Sequence, residues 1–314
     1  MINVDSVSKT FGGRSVLTDI SFSAKAGDIV AVLGQSDSGK TTLLNIISGC
    51  MRFNSGTVTV DGVDVAKYPR EARAHIGYMP EGAPVYPALC AHEYLELLFR
   101  LRGIKGHASS ARAAALVEQF GLDDTVPAFR MQPDERRMLA FAGALAGDHG
   151  TVILDMPTTG ADPTTLRRIR MGVRSVSRDK AVIFTTSSLH EALDTATSVL
   201  ALSCGRVSLS SDVSQLRSSM AGTFRIHLRL AASLDCICRM QQSIADIKDV
   251  NILKTSDGIV DLEIEAPKKS DIQRSIWRYT ADNDMPILEM KSLGITEEDI
   301  YLRLSGRIRE GAPL

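Results

Sequence analysis

The chain contains the run Gly34-Gln35-Ser36-Asp37-Ser38-Gly39-Lys40-Thr41, which fits the phosphate-loop pattern G-x-x-x-x-G-K-[ST] in full. Residues 29–33 (IVAVL) before it form a short β-branched apolar run, and residues 42–49 after it have helical spacing that ends at a glycine. A strand, a glycine loop and a helix N-terminus in that order form the geometry that directs the helix dipole at an anion. The pattern predicts Lys40 between the β- and γ-phosphates of a nucleotide and the Thr41 hydroxyl on Mg²⁺. A chance match in a glycine-containing turn is the alternative, and the two flanks argue against it.

The composition is that of an ordinary globular protein of about two domains. The 314 residues carry a net charge of −1 and are 23% charged, so no basic balance favours nucleic acid as a partner. Residues 1–5 show neither a basic nor an apolar region, so we expect no secretion signal. The longest apolar run, residues 138–146, is far shorter than the ~20 residues that span a bilayer. The five cysteines, an odd number without a metal-binding cluster, favour free thiols in a reducing cytoplasm.

A second predicted strand, residues 151–155 (TVILD), ends in the carboxylate of Asp155. In phosphate-loop ATPases such an aspartate binds Mg²⁺, whereas the alternative is an aspartate that only caps a helix. Residues 157–163 (PTTGADP) follow and resemble the D-E-P-T-x-G-L-D-P stretch of ATP-binding cassette (ABC) ATPases. That stretch is long and specific, so Asp155 is expected to hold Mg²⁺.

Other stretches resemble the same family in the same order. Phe11 stands where the family places an aromatic ring that stacks on adenine, and an ordinary core phenylalanine is the alternative. Residues 55–62 resemble the family's β-hairpin, and residues 76–81 (IGYMPE) resemble the entry to its Q-loop. The sequence pattern of residues 77–104 is most similar to that of gliding-motility-associated and other ABC-2-type exporter ATPases.

The resemblance covers residues 1–217 and implies an α/β phosphate-loop NTPase of ABC type with a helical subdomain at about 82–147. It implies ATP and Mg²⁺ as cofactors. The implied partners are an integral-membrane ABC-2-type permease subunit, docked through residues about 80–105, and a second nucleotide-binding subunit. These partners would make the protein cytoplasmic and peripheral on the inner face of the cell membrane. The residues expected to bind the nucleotide are Phe11, Val16, Gly34, Gln35, Ser36, Asp37, Ser38, Gly39, Lys40, Thr41, Thr42, Glu81 and Asp155, of which Thr41, Glu81 and Asp155 also bind the metal.

The sequence departs from the family at the positions that carry the chemistry. The family places a glutamate after the strand-ending aspartate to polarise the attacking water, and this chain has Met156, whose thioether cannot accept a proton. A positioned general base contributes ~10²–10⁴ in rate. Ser187 occupies the position of the family's switch histidine. His190 lies three residues later, about 4.5 Å further along a helix, and a solvated polar residue is the favoured interpretation of it.

The family's signature L-S-G-G-Q, which binds the γ-phosphate of the partner subunit's ATP, aligns with residues 131–135 (MQPDE). Pro133 removes one N–H group, and Asp134 and Glu135 bring negative charge towards a phosphate. The same residues make a good helix start, with proline at the first helical position and acids in the first turn. The segment is predicted to be retained as a helix and lost as a phosphate clamp.

Two smaller departures affect the loop and the metal ligands. Asp37 replaces a usual glycine, and aspartate tolerates left-handed backbone better than most residues, so the loop is expected to survive with weaker phosphate affinity. Glu81 replaces the usual Q-loop glutamine, and its carboxylate oxygen is still a hard ligand for Mg²⁺. Because all the departures lie on one chain, we expect slow hydrolysis in a homodimer and in a pair with a normal subunit.

A small-residue linker at residues 218–222 is predicted to lead into a second domain, residues 223–314. Residues 224–230 alternate strictly between apolar and polar, as in a half-buried strand. The order of the elements that follow, βαββαβ, predicts a small α+β ferredoxin-like domain. The domain shows no catalytic constellation. The predicted elements are a strand at 224–230, a helix at 232–246, strands at 249–254 and 258–265, a helix at 269–282, a strand at 286–291 and a terminal helix at 296–304.

Three functional hypotheses remain open from the sequence. The leading one is an ATP-binding subunit of an ABC-2-type export complex with weak or absent hydrolysis. The second is a structural or regulatory subunit in which ATP holds a closed dimer rather than driving turnover. The third is a working ATPase with a displaced general base, such as Glu191 or a residue of a partner.

Overall fold

A computed structural model describes residues 1–221, 223–256, 258–267 and 271–293. The chain divides into two compact units, Met1–Val213 and Ser214–Leu314. The terminal helix predicted at 296–304 lies outside the described residues.

The first unit alternates strands and helices. A short 3₁₀ helix at Ala128–Arg130 precedes the fifth α-helix. The elements in chain order are β1 (Ile2–Phe11), β2 (Arg14–Ala24), β3 (Ile29–Leu33), α1 (Lys40–Ile47), β4 (Ser55–Val60), β5 (Val63–Asp64), α2 (Pro69–Ala74), β6 (Ile76–Met79), α3 (Ala91–Leu101), α4 (His107–Gln119), α5 (Pro133–Ala144), β7 (Thr151–Leu154), α6 (Pro163–Val176), β8 (Ala181–Thr186), α7 (Leu189–Thr195), β9 (Ser198–Ser203) and β10 (Arg206–Asp212).

Two sheets build this unit. An antiparallel sheet has the order β2-β1-β4-β5, and its β4–β5 turn is the hairpin predicted at residues 55–62. A six-stranded sheet has the order β10-β9-β3-β8-β7-β6, in which only β10 is antiparallel to its neighbour. Strands β3, β7 and β8 are buried at every residue, which is why they read as continuous apolar runs. The carboxyl ends of β3, β6, β7 and β8 therefore meet at one edge of the sheet.

The helical part of this unit contains α3, α4 and α5. Helix α5 is buried from Met138 to Ala144, which accounts for most of the longest apolar run in the sequence. Gly143 lets α3 approach α5, because an added β-carbon there would lie 2.8 Å from the ring of Tyr94. None of the helices in the described part of the chain is long and apolar enough to cross a membrane.

The second unit is an antiparallel sheet covered by helices. The elements are α8 (Val213–Ala221), β11 (Thr223–Ala231), α9 (Leu234–Ser243), β12 (Asp249–Ser256), β13 (Ile259–Pro267), α10 (Ile272–Asp282) and β14 (Ile287–Leu293). The strand order β12-β13-β11-β14, with α9 and α10 between the strands in sequence, gives the βαββαβ arrangement expected of a ferredoxin-like domain. Its core joins apolar residues of the strands and of these two helices, among them Leu228, Met240, Leu262 and Ile276.

Most of the linker predicted at 218–222 is helical. Helix α8 continues through Ala221, so residues 218–221 form the end of this helix. Serine and alanine are compatible with both states, and only contacts remote in sequence decide between them.

A buried histidine lies in the segment between α5 and β7. His149 is 2% exposed, and an added β-carbon at Gly77 of β6 would lie 2.3 Å from its Nε2 atom, so only glycine fits there. Burial, helped by the cations Arg102 and Lys180, lowers the pKa of His149 to about 3 against the opposing charge of Asp148. The imidazole is therefore neutral in the folded protein.

Acidification is expected to destabilise the first unit through His149. Between the unfolded value of about 6.5 and the folded pKa of about 3, the unfolded chain binds a proton that the folded chain does not. The free energy of unfolding then falls as the pH falls, by up to about 1.4 kcal/mol per pH unit from this residue. Urea unfolding between pH 7 and pH 4 measures the slope of the unfolding free energy against pH. His149→Gln should reduce this slope by the amount that corresponds to about one bound proton. Identical slopes in the two proteins would contradict this account.

Candidate functional site

The predicted phosphate loop lies between the end of β3 at Leu33 and the start of α1 at Lys40. Gly39 has φ 103° and Asp37 has φ 62°, so the loop needs two residues in the left-handed region. Asp37 satisfies this because a short polar side chain tolerates that conformation better than most. Gly34 packs so closely on Ser38 that an added β-carbon would lie 2.3 Å from its Oγ atom. The loop is thus a tight turn that delivers the first N–H groups of α1 to the sheet edge.

Lys40 extends back over this loop. Its side chain is 7% exposed, and its Nζ atom donates to the carbonyl oxygens of Gly34 at 2.9 Å and Gln35 at 2.7 Å. Burial lowers the pKa of Lys40, while the carboxylates of Asp155, Glu81 and Asp37 act in the opposite direction, the effect of Asp155 being the largest of the three. One ammonium group therefore faces three carboxylates at this edge of the sheet.

Asp155 follows β7 at the same edge. Its side chain is 1% exposed, and its Oδ1 atom accepts a hydrogen bond of 2.6 Å from the hydroxyl of Thr185, the second-to-last residue of β8. The other oxygen, Oδ2, has no hydrogen-bond partner among the described residues. A buried carboxylate oxygen without a donor is costly, and a cation is the partner that fits it.

The remaining metal-ligand candidates follow strands that end at the same edge of the sheet as β7. Thr41 is exposed in the first turn of α1, and Glu81 is exposed two residues after the end of β6. Within the described ranges, no group of three His, Cys, Asp or Glu side chains is placed to hold a metal by itself. Mg²⁺ commonly binds through one or two carboxylates, waters and the phosphates of its substrate. The donor set fits a Mg²⁺ ion that arrives with a nucleotide.

The candidates for contact with a base lie on the β1–β2 hairpin. The carbonyl oxygen of Val16 is 3.0 Å from the position of an added β-carbon at Gly39, so this hairpin contacts the end of the loop. Phe11 is 45% exposed at the end of β1, and the ammonium of Lys9 lies 4.6 Å from its ring centroid. The other predicted loop residues differ in exposure: Ser36 is exposed, Gln35 and Thr42 are half-buried, and Ser38 is buried.

The two positions that should carry the hydrolytic chemistry hold Met156 and Ser187. Met156 is half-buried at φ 49°, and its N–H group donates to the Thr185 hydroxyl at 2.7 Å. Ser187 is exposed just after the end of β8. Neither side chain can accept a proton from water at neutral pH, because one is a thioether and the other an alcohol.

His190 and Glu191 do not replace them. His190 has a 58% exposed side chain whose Nε2 atom lies 3.2 Å from a carboxylate oxygen of Asp194 on the same helix. Glu191 is 7% exposed, and both its oxygens accept hydrogen bonds, one from Thr186 at 2.6 Å and one from Thr158. These hydrogen bonds connect the loop after β7 and the end of β8 to the start of α7. Because both oxygens already accept hydrogen bonds, Glu191 does not fit the role of a displaced general base.

Comparisons with known proteins agree with this architecture. A family model described as ABC transporter matches residues 17–159. The ABC transporter ATP-binding protein NatA of Bacillus subtilis is 30% identical over 217 residues, which cover 66% of this chain and 87% of NatA. The chain belongs to the ABC transporter family.

Two longer matches within the ABC transporter family extend across the second unit. The linearmycin resistance ATP-binding protein LnrL of Bacillus subtilis is 25% identical and covers 98% of this chain and 99% of its own length. The daunorubicin resistance ATP-binding protein DrrA2 of Streptomyces coeruleorubidus is 27% identical and covers 98% and 96%. A solved dimeric ATP-binding cassette in a post-hydrolysis state, bound to ADP and Pi, has a TM-score of 0.63, 23% identity, and coverage of 68% of this chain and 99% of its own. It shares the fold.

The segment that stands at the ABC transporter signature is a well-formed helix start. Pro133 is the first residue of α5, and the N–H group of Gln132 donates to a carboxylate oxygen of Glu135 at 2.7 Å. Asp134 accepts a hydrogen bond from the N–H of Asp162 at 3.4 Å, and burial together with the nearby Asp162 raises the pKa of Asp134. The helix start predicted from the sequence is confirmed, and its polar groups bind within the chain.

A groove lies beside this helix start, between the start of α5 and residues 82–87, which follow the Q-loop position of the ABC transporter family. The groove encloses a cavity of about 400 Å³, and Phe129 at its rim is 59% exposed. Residues 82–87 lie within the docking segment suggested by the sequence, but the opposite wall was missed because it comes from a later part of the chain. That wall consists of Ala128, Phe129, Pro133, Arg136 and Arg137.

We expect Glu191 to contribute to stability rather than to catalysis. Glu191→Ala leaves the buried hydroxyls of Thr158 and Thr186 without their acceptor. Each hydroxyl left without an acceptor should lower the free energy of unfolding by about 1–3 kcal/mol. His190→Ala is the matched control, because its exposed ion pair is worth about 0–1 kcal/mol. Chemical denaturation measures both, and equal small losses would show that the Glu191 contacts are not stabilising.

Proposed function

We propose that this chain is the ATP-binding subunit of an ABC-2-type export complex that binds Mg·ATP and hydrolyses it weakly or not at all. The names of LnrL and DrrA2 as resistance ATP-binding proteins support an export role, since they match almost the whole chain. Binding would occur at the loop of residues 34–41, at the edge of the six-stranded sheet.

One observation carries the proposal. Lys40 and Thr41, which follow β3, and Asp155, which follows β7, are the residues that would hold Mg·ATP at this edge of the sheet. Met156 and Ser187 stand where the family has the base and the switch histidine. Binding needs the first set and turnover needs the second, so the two functions separate on this chain.

The loop would bind the phosphates through backbone N–H groups and the Lys40 ammonium, which neutralise charge. A bound Mg²⁺ would supply further charge neutralisation of the phosphate oxygens, with Thr41, Asp155 and Glu81 as its protein ligands. Neither Met156, a thioether, nor Glu191, whose oxygens accept from two threonine hydroxyls, would deprotonate the attacking water. Loss of the base at the Met156 position would lower the rate by ~10²–10⁴.

The partner subunits follow from the same site. A second nucleotide-binding subunit would pair head to tail with this chain, and each ATP would lie between one loop and the other chain's signature segment. Residues 132–135 would supply no free clamp for a phosphate, because Pro133 lacks an N–H group and Glu135 accepts the N–H of Gln132. Slow hydrolysis is therefore expected at both sites of a homodimer, and at both sites of a mixed pair.

ATP binding and turnover on one purified sample test the nucleotide part of the proposal. Wild type should bind ATP with negligible turnover, and Lys40→Ala should lose binding because it removes the ammonium that lies over the phosphate loop. Met156→Glu with Ser187→His should raise turnover by up to about 10²-fold, since it restores a base and its partner. Met156→Glu alone is the intermediate variant. Wild-type turnover that Lys40→Ala abolishes would mean that the base lies elsewhere and that Met156 does not mark a loss of hydrolysis.

The groove between residues 82–87 and α5 is the proposed contact with the permease subunit. Its exposed Phe129 offers an apolar anchor, and Arg136 and Arg137 offer partners for acidic side chains. A membrane-protein helix that presents an apolar residue beside an acidic one would fit this chemistry. Such docking would place the protein peripherally on the inner face of the cell membrane.

Copurification from detergent-solubilised membranes tests the groove. Phe129→Asp should reduce recovery of a polytopic partner about tenfold or more, because it places a charge at an apolar anchor. Met171→Asp is the matched control, since Met171 is 61% exposed on α6 and does not line the groove. Equal recovery with both variants would exclude the groove, and a wild-type protein that never copurifies with a membrane partner would exclude the export complex.

A further inference from the structure

Thr185 joins two consecutive residues of the segment that follows β7. Its side chain is fully buried, and its hydroxyl lies 2.6 Å from Oδ1 of Asp155 and 2.7 Å from the backbone nitrogen of Met156. The register of the sheet sets this position, because Leu154 at the end of β7 pairs with Phe184, next to Thr185. One hydroxyl therefore reaches both the carboxylate and the following amide.

The chemistry of the three groups fixes the direction of both hydrogen bonds. The backbone N–H of Met156 can only donate, so the Thr185 oxygen accepts from it. The single hydroxyl proton of Thr185 is then donated to the carboxylate oxygen Oδ1 of Asp155. Oδ1 is thereby immobilised, and Oδ2 remains as the oxygen without a donor among the described residues.

We infer that Thr185 is a positioning residue that holds Asp155 so that its Oδ2 atom faces the Mg²⁺ ion of a bound nucleotide. This inference rests on the proposed function, because it concerns the metal of Mg·ATP. The same hydroxyl holds Met156 at φ 49°, in a region that residues other than glycine rarely adopt. Thr185 thus fixes both the direction of the carboxylate and the path by which the chain leaves it.

Thr186 provides a matched contrast at the next position. Its side chain is also buried, at 3% exposure, and its hydroxyl donates to Glu191 at 2.6 Å rather than to Asp155. Successive strand residues point to opposite faces of a sheet, so the two threonines serve different neighbours. Loss of either hydroxyl removes a buried hydrogen bond, but only the loss at Thr185 releases Asp155.

The test compares ATP affinity with saturating Mg²⁺ and with excess EDTA, by calorimetry on the full chain. The dissociation constant in EDTA divided by the dissociation constant in Mg²⁺ measures how much the metal strengthens ATP binding. This ratio separates the contribution of the metal from that of the loop. Thr185→Val should reduce this ratio about 10–100-fold, as loss of a group that orients a metal ligand does. Thr185→Ser keeps the hydroxyl and should restore the wild-type ratio, and Thr186→Val should leave it unchanged.

Each outcome decides between a positioning and a merely structural role. An unchanged ratio in Thr185→Val, or an equal reduction in Thr186→Val, would overturn the inference while wild-type Mg·ATP binding still supports the proposed function. A wild-type protein that binds ATP in neither condition would overturn both. If Thr185→Val does not fold, Thr185→Ala removes the same hydroxyl without a branched side chain in its place and gives the same comparison.

Discussion

The parallel pairing of β8 with both β3 and β7 is the constraint on which the site depends. Leu33 pairs with Thr186 on one side, and Leu154 pairs with Phe184 on the other, so three segments distant in sequence end at one edge. The phosphate loop follows the first strand and Asp155 follows the second. The threonines at the end of the central strand then reach both neighbours. Loss of this register would separate the loop from the carboxylate.

Much of this arrangement could be predicted because the deciding signals are local. The loop requires glycines and a lysine at fixed spacing, and β3 was predicted with its observed bounds because fully buried parallel strands are continuous apolar runs. Helix α1 begins two residues earlier than its apolar periodicity suggested, since Lys40 already belongs to it. In the second unit, strict alternation in β11 and the spacing of the later elements were sufficient to give the βαββαβ order.

The features that escaped prediction depend on contacts between remote segments. Glu191 was considered as a base because its type suits proton transfer, but Thr158 and Thr186 occupy it, and no local pattern shows that. Thr185 lay inside an apolar strand and gave no signal of its own. The groove combines residues 82–87 with residues 128–137, so half of it lay outside the segment that the sequence had marked.

The side chain of Arg137 has a thermodynamic consequence. It lines the groove, and its Nη1 atom donates to the carbonyl oxygen of Pro157 at 3.4 Å, two residues after Asp155. A partner helix in the groove and a metal-bound nucleotide would therefore be separated by one side chain and a short piece of backbone. If seating the helix changes nucleotide affinity by some factor, the nucleotide must change the affinity for the helix by the same factor. Such reciprocity would let an ATP-binding subunit transmit the nucleotide level to a partner seated in the groove through binding alone, without any need for hydrolysis.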